Sequence, residues 1–80
     1  MTDHPPKLTA RNLEILDTIE ELTRRERLPP TLREIAAALD LASPNGVYEH
    51  IERLRAHGLI ASRPGQSRTI RSTREDRRHE

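Results

Sequence analysis

The sequence predicts a mostly α-helical domain ending in a small β-hairpin, the order of a winged helix-turn-helix: three helices plus a two-stranded wing. Three segments repeat apolar residues at helical spacing, and each begins at a hydroxyl residue able to cap a helix. Pro64-Gly65 then separates two short apolar and basic stretches, as the centre of a hairpin turn does. We place one domain at residues 8–72, between an N-terminal segment, 1–7, and a charged tail, 73–80, both predicted to be disordered.

The first predicted helix begins after Thr9, whose hydroxyl can accept a hydrogen bond from a free backbone N–H. Leu8 and Leu13 occupy the two positions of a hydrophobic staple. Pro29 and Pro30 end the helix, because a residue before proline is pushed out of the α region. The side predicted to face the core consists of Leu13, Ile15, Leu16, Ile19 and Leu22.

The second predicted helix is short and opens with a capping box formed by Thr31 and Glu34. Its alanines keep it slim, so that another helix can cross it closely. The apolar face consists of Leu32, Ile35, Ala36 and Leu39.

The third predicted helix covers residues 44–57. Ser43 caps it, Pro44 takes the first helical position, and Gly58 is a typical left-handed stop. At about 100° per residue the helix divides into two sides. The apolar side, predicted to face the core, consists of Val47, Ile51 and Leu54. The polar side consists of Asn45, Glu49, Glu52 and Ala56. Between them, Tyr48 and Arg53 lie on the flanks and His50 close to the apolar edge.

Composition excludes several classes of protein. The chain has 80 residues, of which 32% are apolar and none is cysteine, so disulfides and thiolate metal sites are excluded. A chain this short leaves little room for an enzyme cleft, and its histidines lack metal-ligand spacing. We find no catalytic arrangement, cofactor site, small-molecule site, signal peptide or membrane span, and expect a cytoplasmic protein that is not an enzyme.

Charge is unevenly placed. Residues 1–40 hold six basic and eight acidic side chains, whereas residues 41–80 hold eight basic and five acidic ones. From Ser62 to Arg74, both included, there are four arginines and no acid. Either this is a solubilising surface or the second half meets a polyanion. A helix with a polar outer face fits the major groove of double-stranded DNA, and the basic wing then lies on the backbone or the minor groove.

Individual residues of the third helix suit this chemistry. Asn45 can bond bidentately to an adenine edge, and Glu49 can accept from a cytosine amino group. Gly46 permits close approach of a base or backbone, and Tyr48 can stack on the backbone or touch a thymine methyl. Each also has a purely structural interpretation. Asn45 would then be a polar residue of the first turn and Glu49 a solvated carboxylate. Gly46 would be a tolerated glycine, and Tyr48 would cover the second helix.

The segment LPPTLREIAAALDLASPNGVYEHIERLRAHGLI, followed by SRTIR, resembles the N-terminal DNA-binding domain of the LexA repressors of the bacterial SOS response. The shared motifs follow in the same order: LTAR, PPT-REIA, SPN, EH, L---G-I and SR-IR. The resemblance implies that the helix beginning at SPN reads the operator and that the wing supports binding near the dyad. It implies base or backbone contacts from Ser43, Asn45 and Glu49, and wing contacts from Ser67 and Arg68.

Two departures limit the resemblance. The family usually has Ala, Ala and Glu where this chain has Gly46, Val47 and Tyr48, so the usual operator cannot be assumed. The family continues into a second domain with an Ala-Gly cleavage site and a Ser-Lys pair, whereas the only lysine here is Lys7. We therefore expect no self-cleavage, weak self-association and a dimer on a palindromic operator. Whether the chain stands alone, in a bacterium or phage, or is cut from a longer repressor stays open.

Two functions remain open at this stage. One is a sequence-specific, LexA-like transcriptional repressor. The other is a protein-interaction winged helix that partners a larger repressor or another regulator, with Tyr48 as its aromatic anchor. The predicted DNA-binding residues are Ser43, Asn45, Gly46, Tyr48, Glu49, Arg53, Ser67, Arg68 and Arg71.

Overall fold

A computed structural model of the chain describes residues 7–63 and 68–74. Its elements are α1 (Ala10–Glu26), α2 (Leu32–Ala38), α3 (Pro44–Ala56), β1 (Ile60–Ala61) and β2 (Arg71–Ser72). The two strands pair antiparallel, β1 with β2. This confirms the predicted mostly α-helical winged helix-turn-helix. The predicted turn at Pro64-Gly65 lies outside the described residues.

Both α1 and α2 begin with a reciprocal capping box. In α2, the Thr31 N–H donates to Glu34 Oε1 at 2.9 Å and the Glu34 N–H donates to Thr31 Oγ1 at 3.1 Å, as predicted. In α1, Asn12 plays the part of the glutamate: the Thr9 N–H donates to Asn12 Oδ1 at 2.8 Å, and the Asn12 N–H donates to Thr9 Oγ1 at 3.1 Å. Two of the free N–H groups at each helix start are thereby satisfied.

The ends of α2 and α3 share one motif. After α2, the Leu41 N–H donates to the Ala36 carbonyl at 2.8 Å and the Asp40 N–H to the Ala37 carbonyl at 3.2 Å. Asp40 adopts a left-handed φ of 57°, the position that glycine usually takes in this Schellman motif. After α3 the same position is Gly58, at φ 75°, which confirms the predicted stop. α3 itself ends at Ala56, with His57 as its cap.

The core is aliphatic throughout. α3 packs against both α1 and α2, and the hairpin closes the remaining side. Leu13 is not part of this core, contrary to the prediction, since 42% of it is exposed. Asn12, one position earlier, is buried in its place, because the inward side of α1 is turned toward residues 12, 16 and 20. The buried apolar residues are Ile15, Leu16, Ile19, Leu22, Ile35, Ala36, Val47, Ile51, Leu54, Ile60 and Ile70.

A buried carboxylate fastens the end of the described chain to α1. Glu20, whose side chain is 5% exposed, accepts from Ser72 Oγ at 2.6 Å and from Arg74 Nε at 2.8 Å. Arg74 Nη2 also donates to Asp17 Oδ1 at 2.8 Å. These bonds, first those to Glu20 and then that to Asp17, raise the pKa of Arg74 above its ordinary value. We call Glu20, Ser72 and Arg74 the clasp.

The clasp bears on the predicted tail, residues 73–80. Arg74 is held by it, and the Thr73 N–H donates to the Leu59 carbonyl at 3.0 Å. These first two residues of the predicted tail are thus bonded to the body of the domain, Thr73 to the Leu59 carbonyl and Arg74 to Glu20 and Asp17. Residues 75–80 and 1–6 lie outside the described part of the chain, and the domain limits stay a prediction.

Candidate nucleic-acid interface

The outer face of α3 is a polar surface on a rigid support. Val47, Ile51 and Leu54 are buried beneath it, as predicted. On the outside, Asn45, Gly46, Tyr48 and Glu49 are all exposed, and Arg53 is half-buried on the flank. The first turns of the helix therefore present an amide, a carboxylate and a phenol to solvent without disturbing the core.

The start of α3 combines a cap with the positive end of the helix dipole. Ser43 Oγ accepts from the Asn45 N–H at 3.1 Å, and Pro44 occupies the first helical position. The cap satisfies one donor and leaves the positive end of the helix dipole facing outward. A phosphate can bind at such an end. Ser43 itself is also exposed there.

Steric crowding within the fold does not explain why residue 46 is a glycine. Its φ is not positive, and a Cβ built on it would meet nothing within 4 Å. Alanine at this site would therefore fit and would favour the helix by about 1 kcal/mol. An open site of this kind is consistent with an outside group approaching the backbone closely.

His50 connects α3 to the cap of α1. As predicted, it lies at the edge of the core, half-buried. Its Nδ1 contacts Asn12 Nδ2. Because Asn12 Oδ1 already accepts from the Thr9 N–H, the Asn12 amide nitrogen is the donor and His50 Nδ1 the acceptor. The sequence analysis missed Asn12, although an asparagine three residues after a capping threonine is a recognisable signal.

In the wing, Arg63, Arg68 and Arg71 are all exposed, as expected. Arg68, however, already has partners: its Nη1 and Nη2 reach Glu34 Oε1 and Oε2 at 3.2 and 3.0 Å, and Nη1 also reaches the Pro29 carbonyl at 3.3 Å. We call the pair of Glu34 and Arg68 the latch. Ser67, the other predicted wing contact, lies outside the described residues.

The latch has an electrostatic signature. The pKa of Glu34 is held below its ordinary value, first by the backbone hydrogen bond from Thr31 and then by the hydrogen bond from Arg68. The Glu34 carboxylate thus caps α2 and also helps to hold the wing in position. Sequence reasoning found the first role alone, since the partner in the second lies 34 residues away.

A second arginine fixes the wing to α3. Arg55 donates to Glu52 Oε2 at 2.6 Å through one nitrogen and to Ser62 Oγ through the other. The hairpin is therefore bonded to both helices of the helix-turn-helix, to α2 by Arg68 and to α3 by Arg55. Neither bond was predicted.

Within residues 7–63 and 68–74, no cluster of His, Cys, Asp or Glu could hold a metal ion. The longest described helix is α1, with 17 residues, and no described helix is long and apolar enough to cross a bilayer.

Comparison with known proteins places this arrangement in a family. Residues 5–69 match the model of the LexA DNA binding domain. The chain is 46% identical over 71 residues to a LexA repressor of Delftia acidovorans, which covers 89% of the chain and 31% of that repressor. It is 45% identical over 64 residues to a LexA repressor of Methylococcus capsulatus, covering 80% of the chain and 32% of the repressor. The chain thus spans about a third of the length of these curated relatives, and it belongs to the LexA DNA-binding domain family.

Proposed function

We propose that this chain binds double-stranded DNA in a sequence-specific manner and acts as a LexA-like transcriptional repressor by occupying promoter DNA. In this proposal α3 enters the major groove and the wing lies on the backbone or the minor groove. The observation that carries the proposal is the outer face of α3, where Asn45, Tyr48 and Glu49 are exposed above a buried aliphatic seam. The start of the same helix presents the positive end of its dipole, which favours a phosphate.

Each reading residue has a defined role in the proposal. Asn45 bonds to an adenine edge and Glu49 to a cytosine amino group. Tyr48 replaces the acidic residue usual in the family, so it shifts the preferred operator. Gly46 lets the duplex approach the first turn of α3 closely. Ser43, with Arg53 and Arg71, contributes contacts to the sugar-phosphate backbone.

Selection of bound duplexes from a random pool tests this proposal. We expect a palindromic motif whose half-sites are separated by about one helical turn, 10–10.5 base pairs, or a multiple of it. Asn45→Ala should lose about 1–3 kcal/mol of discrimination at one base pair, whereas Glu21→Ala, an exposed change on α1, should select the same motif as the wild type. No enrichment of any duplex at low salt would reject the proposal.

The variant Tyr48→Glu sharpens the test. It restores the residue type usual in the family at this position and leaves the buried seam untouched, since 52% of Tyr48 is exposed. We expect it to select a different base at one position of each half-site. An unchanged motif would show that Tyr48 does not read sequence.

We further propose that two copies bind the operator while the free chain self-associates weakly. Sedimentation of the free chain and of its complex with the selected duplex tests this. A monomer without DNA and two copies per duplex are expected. One copy per duplex would contradict the proposal.

The exposure of Tyr48 also favours a second candidate, a protein-contact surface on α3, because aromatic side chains often anchor interfaces. Asn45→Ala separates the two. If partner binding is lost while the affinity for DNA is kept, the second candidate is correct.

A further inference from the structure

An open, basic groove lies between the wing and the turn that joins α1 to α2. Its volume is about 730 Å³, within the roughly 300–1,000 Å³ typical of ligand sites. One wall is formed by the end of α1, where Arg27 closes the helix in a left-handed conformation at φ 59°. The other wall is formed by residues 61–63 and by the described part of the returning strand.

The lining of the groove is basic. Its described residues include Arg27, Arg63, Arg68 and Arg71 and no acidic side chain. Glu34 pairs with Arg68 from outside this lining, and Arg27 and Arg63 add two further positive charges. Concentrating like charges on a small protein costs stability and attracts anions. The charge of the groove therefore points to an anionic occupant.

Hydrogen bonds hold the two walls of the groove. Thr69 Oγ1 accepts from the Arg63 N–H at 2.9 Å, which holds the two sides of the hairpin together. The latch holds Arg68 across to α2 and the Pro29 carbonyl. Ser62, which also lines the groove, is bonded to Arg55 of α3. The groove is thus hydrogen-bonded to the last turn of α3.

The groove also has apolar surface. Leu28, which is 51% exposed, lies in the lining together with Pro29 and Ala61. An isolated phosphate ion would gain nothing from contact with these apolar side chains. A strand of sugar-phosphate backbone does gain from it, because its deoxyribose faces are apolar and its phosphates suit arginine forks.

From this combination we infer that the groove is a second DNA contact, which holds the sugar-phosphate backbone beyond the bases that α3 reads. Arg27 and Arg63 are the phosphate contacts, and Leu28 packs on a sugar. The inference rests on the proposed function, since it assigns a further part of the same duplex to this chain. It adds Arg27, on α1, to the contacts made by α3 and the wing.

The test compares two duplexes, one limited to the selected operator and one extended at both ends. Affinity falls with salt, and removing one phosphate contact makes the slope of log affinity against log salt shallower by about 0.9. Arg27→Ala and Arg63→Ala should each show this decrease on the extended duplex and no change on the short one. Between 50 and 200 mM salt, each variant should therefore lose about threefold less affinity than the wild type does.

Arg25→Ala is the matched control. It removes the same charge from the same end of α1, but Arg25 is paired with Glu26 at 3.4 Å and does not line the groove. Equal slopes for Arg27→Ala and Arg25→Ala on the extended duplex would overturn the inference. Thermal unfolding, monitored by circular dichroism, should be alike for all three variants, since each changes an exposed side chain.

Other outcomes separate this inference from the proposed function. If the wild type binds no duplex, the proposed function fails and the groove assignment fails with it. If Asn45→Ala weakens binding while Arg27→Ala behaves like the control, the groove assignment alone is wrong. If Arg27→Ala abolishes binding of a labelled glutamate-rich peptide and leaves the salt slope for DNA unchanged, the groove is a protein-docking site and the inference is also wrong.

Discussion

The glutamate–arginine pairs Glu20–Arg74 and Glu34–Arg68 connect residues 68–74 to the helices, and they differ in burial. In the clasp, the Glu20 side chain is 5% exposed and lies between Arg74 and the buried hydroxyl of Ser72. In the latch, the side chains of Glu34 and Arg68 are each 44% exposed. Both pairs have two nitrogen–oxygen bonds, so their geometry alone does not distinguish them.

Burial decides what each pair can do. A buried carboxylate that loses its partners cannot be solvated by water, and breaking such a pair is strongly destabilising. An exposed pair contributes little, because water and salt compete for both charges. The end of β2 is therefore fixed to α1, whereas the wing is held to α2 by a bond that a phosphate can replace. The stable connection and the exchangeable one lie on different parts of the hairpin.

The largest expected effect follows from removing the buried carboxylate. Glu20→Ala leaves the Ser72 hydroxyl and the Arg74 guanidinium without their acceptor and opens a small cavity. We expect a loss of about 2–4 kcal/mol in the free energy of unfolding, below the full value for a buried pair because Arg74 is partly exposed and keeps Asp17. Urea unfolding followed by circular dichroism measures it.

The neighbouring residue provides the control. Glu21 is exposed on α1, so Glu21→Ala should change stability by less than about 0.5 kcal/mol. Equal losses in the free energy of unfolding for the two variants would show that the clasp is not formed in solution. The difference in burial between Glu20 and Glu34 would then not be reflected in stability.

Double-mutant cycles compare the two pairs directly. We expect a coupling energy of about 1–3 kcal/mol between Glu20 and Arg74, which are in contact within one buried network. The cycle for Glu34 and Arg68 should give a coupling close to the error of measurement, because both side chains are exposed. A larger coupling in the latch than in the clasp would reverse the comparison.

The helices could be predicted because their signals are local. Thr9, Thr31 and Ser43 precede apolar residues at helical spacing, and Gly58 follows the last one, so each helix start and the stop of α3 are encoded within a few residues. The same spacing predicted the buried seam of α3. Leu13 was assigned wrongly because adjacent positions on a helix differ by only about 100°, and Asn12 takes the inward place.

The two pairs could not be predicted because their partners are distant in sequence. Glu20 and Ser72 are 52 residues apart, and no local pattern connects them. One signal was present: Glu20 follows Ile19 on the inward side of α1, where a charged residue requires a buried partner. In the candidate interface, the outward face of α3 was predictable from periodicity, whereas the latch of Arg68 depends on how the wing folds back over α2.

A smaller effect is expected from neutralising the latch. Glutamine also serves in a capping box, so Glu34→Gln should keep α2 capped while removing the charge that attracts Arg68. We expect the affinity for the selected duplex to rise several-fold at low salt, because a carboxylate near the DNA backbone is removed and Arg68 becomes available. Fluorescence anisotropy titrations at several salt concentrations measure this change.

The variant Arg68→Ala separates two roles for the arginine. If Arg68 exchanges Glu34 for a phosphate on binding, Arg68→Ala lowers the salt slope by about 0.9, and Glu34→Gln no longer raises the affinity in the Arg68→Ala background. If affinity falls in Glu34→Gln, the latch is needed to hold the wing in its binding position, and it is not exchanged.

The smallest effect concerns the ionisation of Glu34 itself. Its pKa is lowered first by the Thr31 N–H and only then by Arg68, so Arg68→Ala should raise this pKa only part of the way toward the ordinary value of about 4.3. A lowered pKa in the folded state means that the contribution to stability is complete above the ordinary value and is lost as the pH falls through the folded value. Any stability that the latch contributes is therefore present at neutral pH and is lost only in acid. NMR titration of the Glu34 side-chain carboxyl in the wild type and in Arg68→Ala measures the shift. An identical pKa in both would show that the exposed pair does not persist in solution, in which case the wing is positioned without the latch.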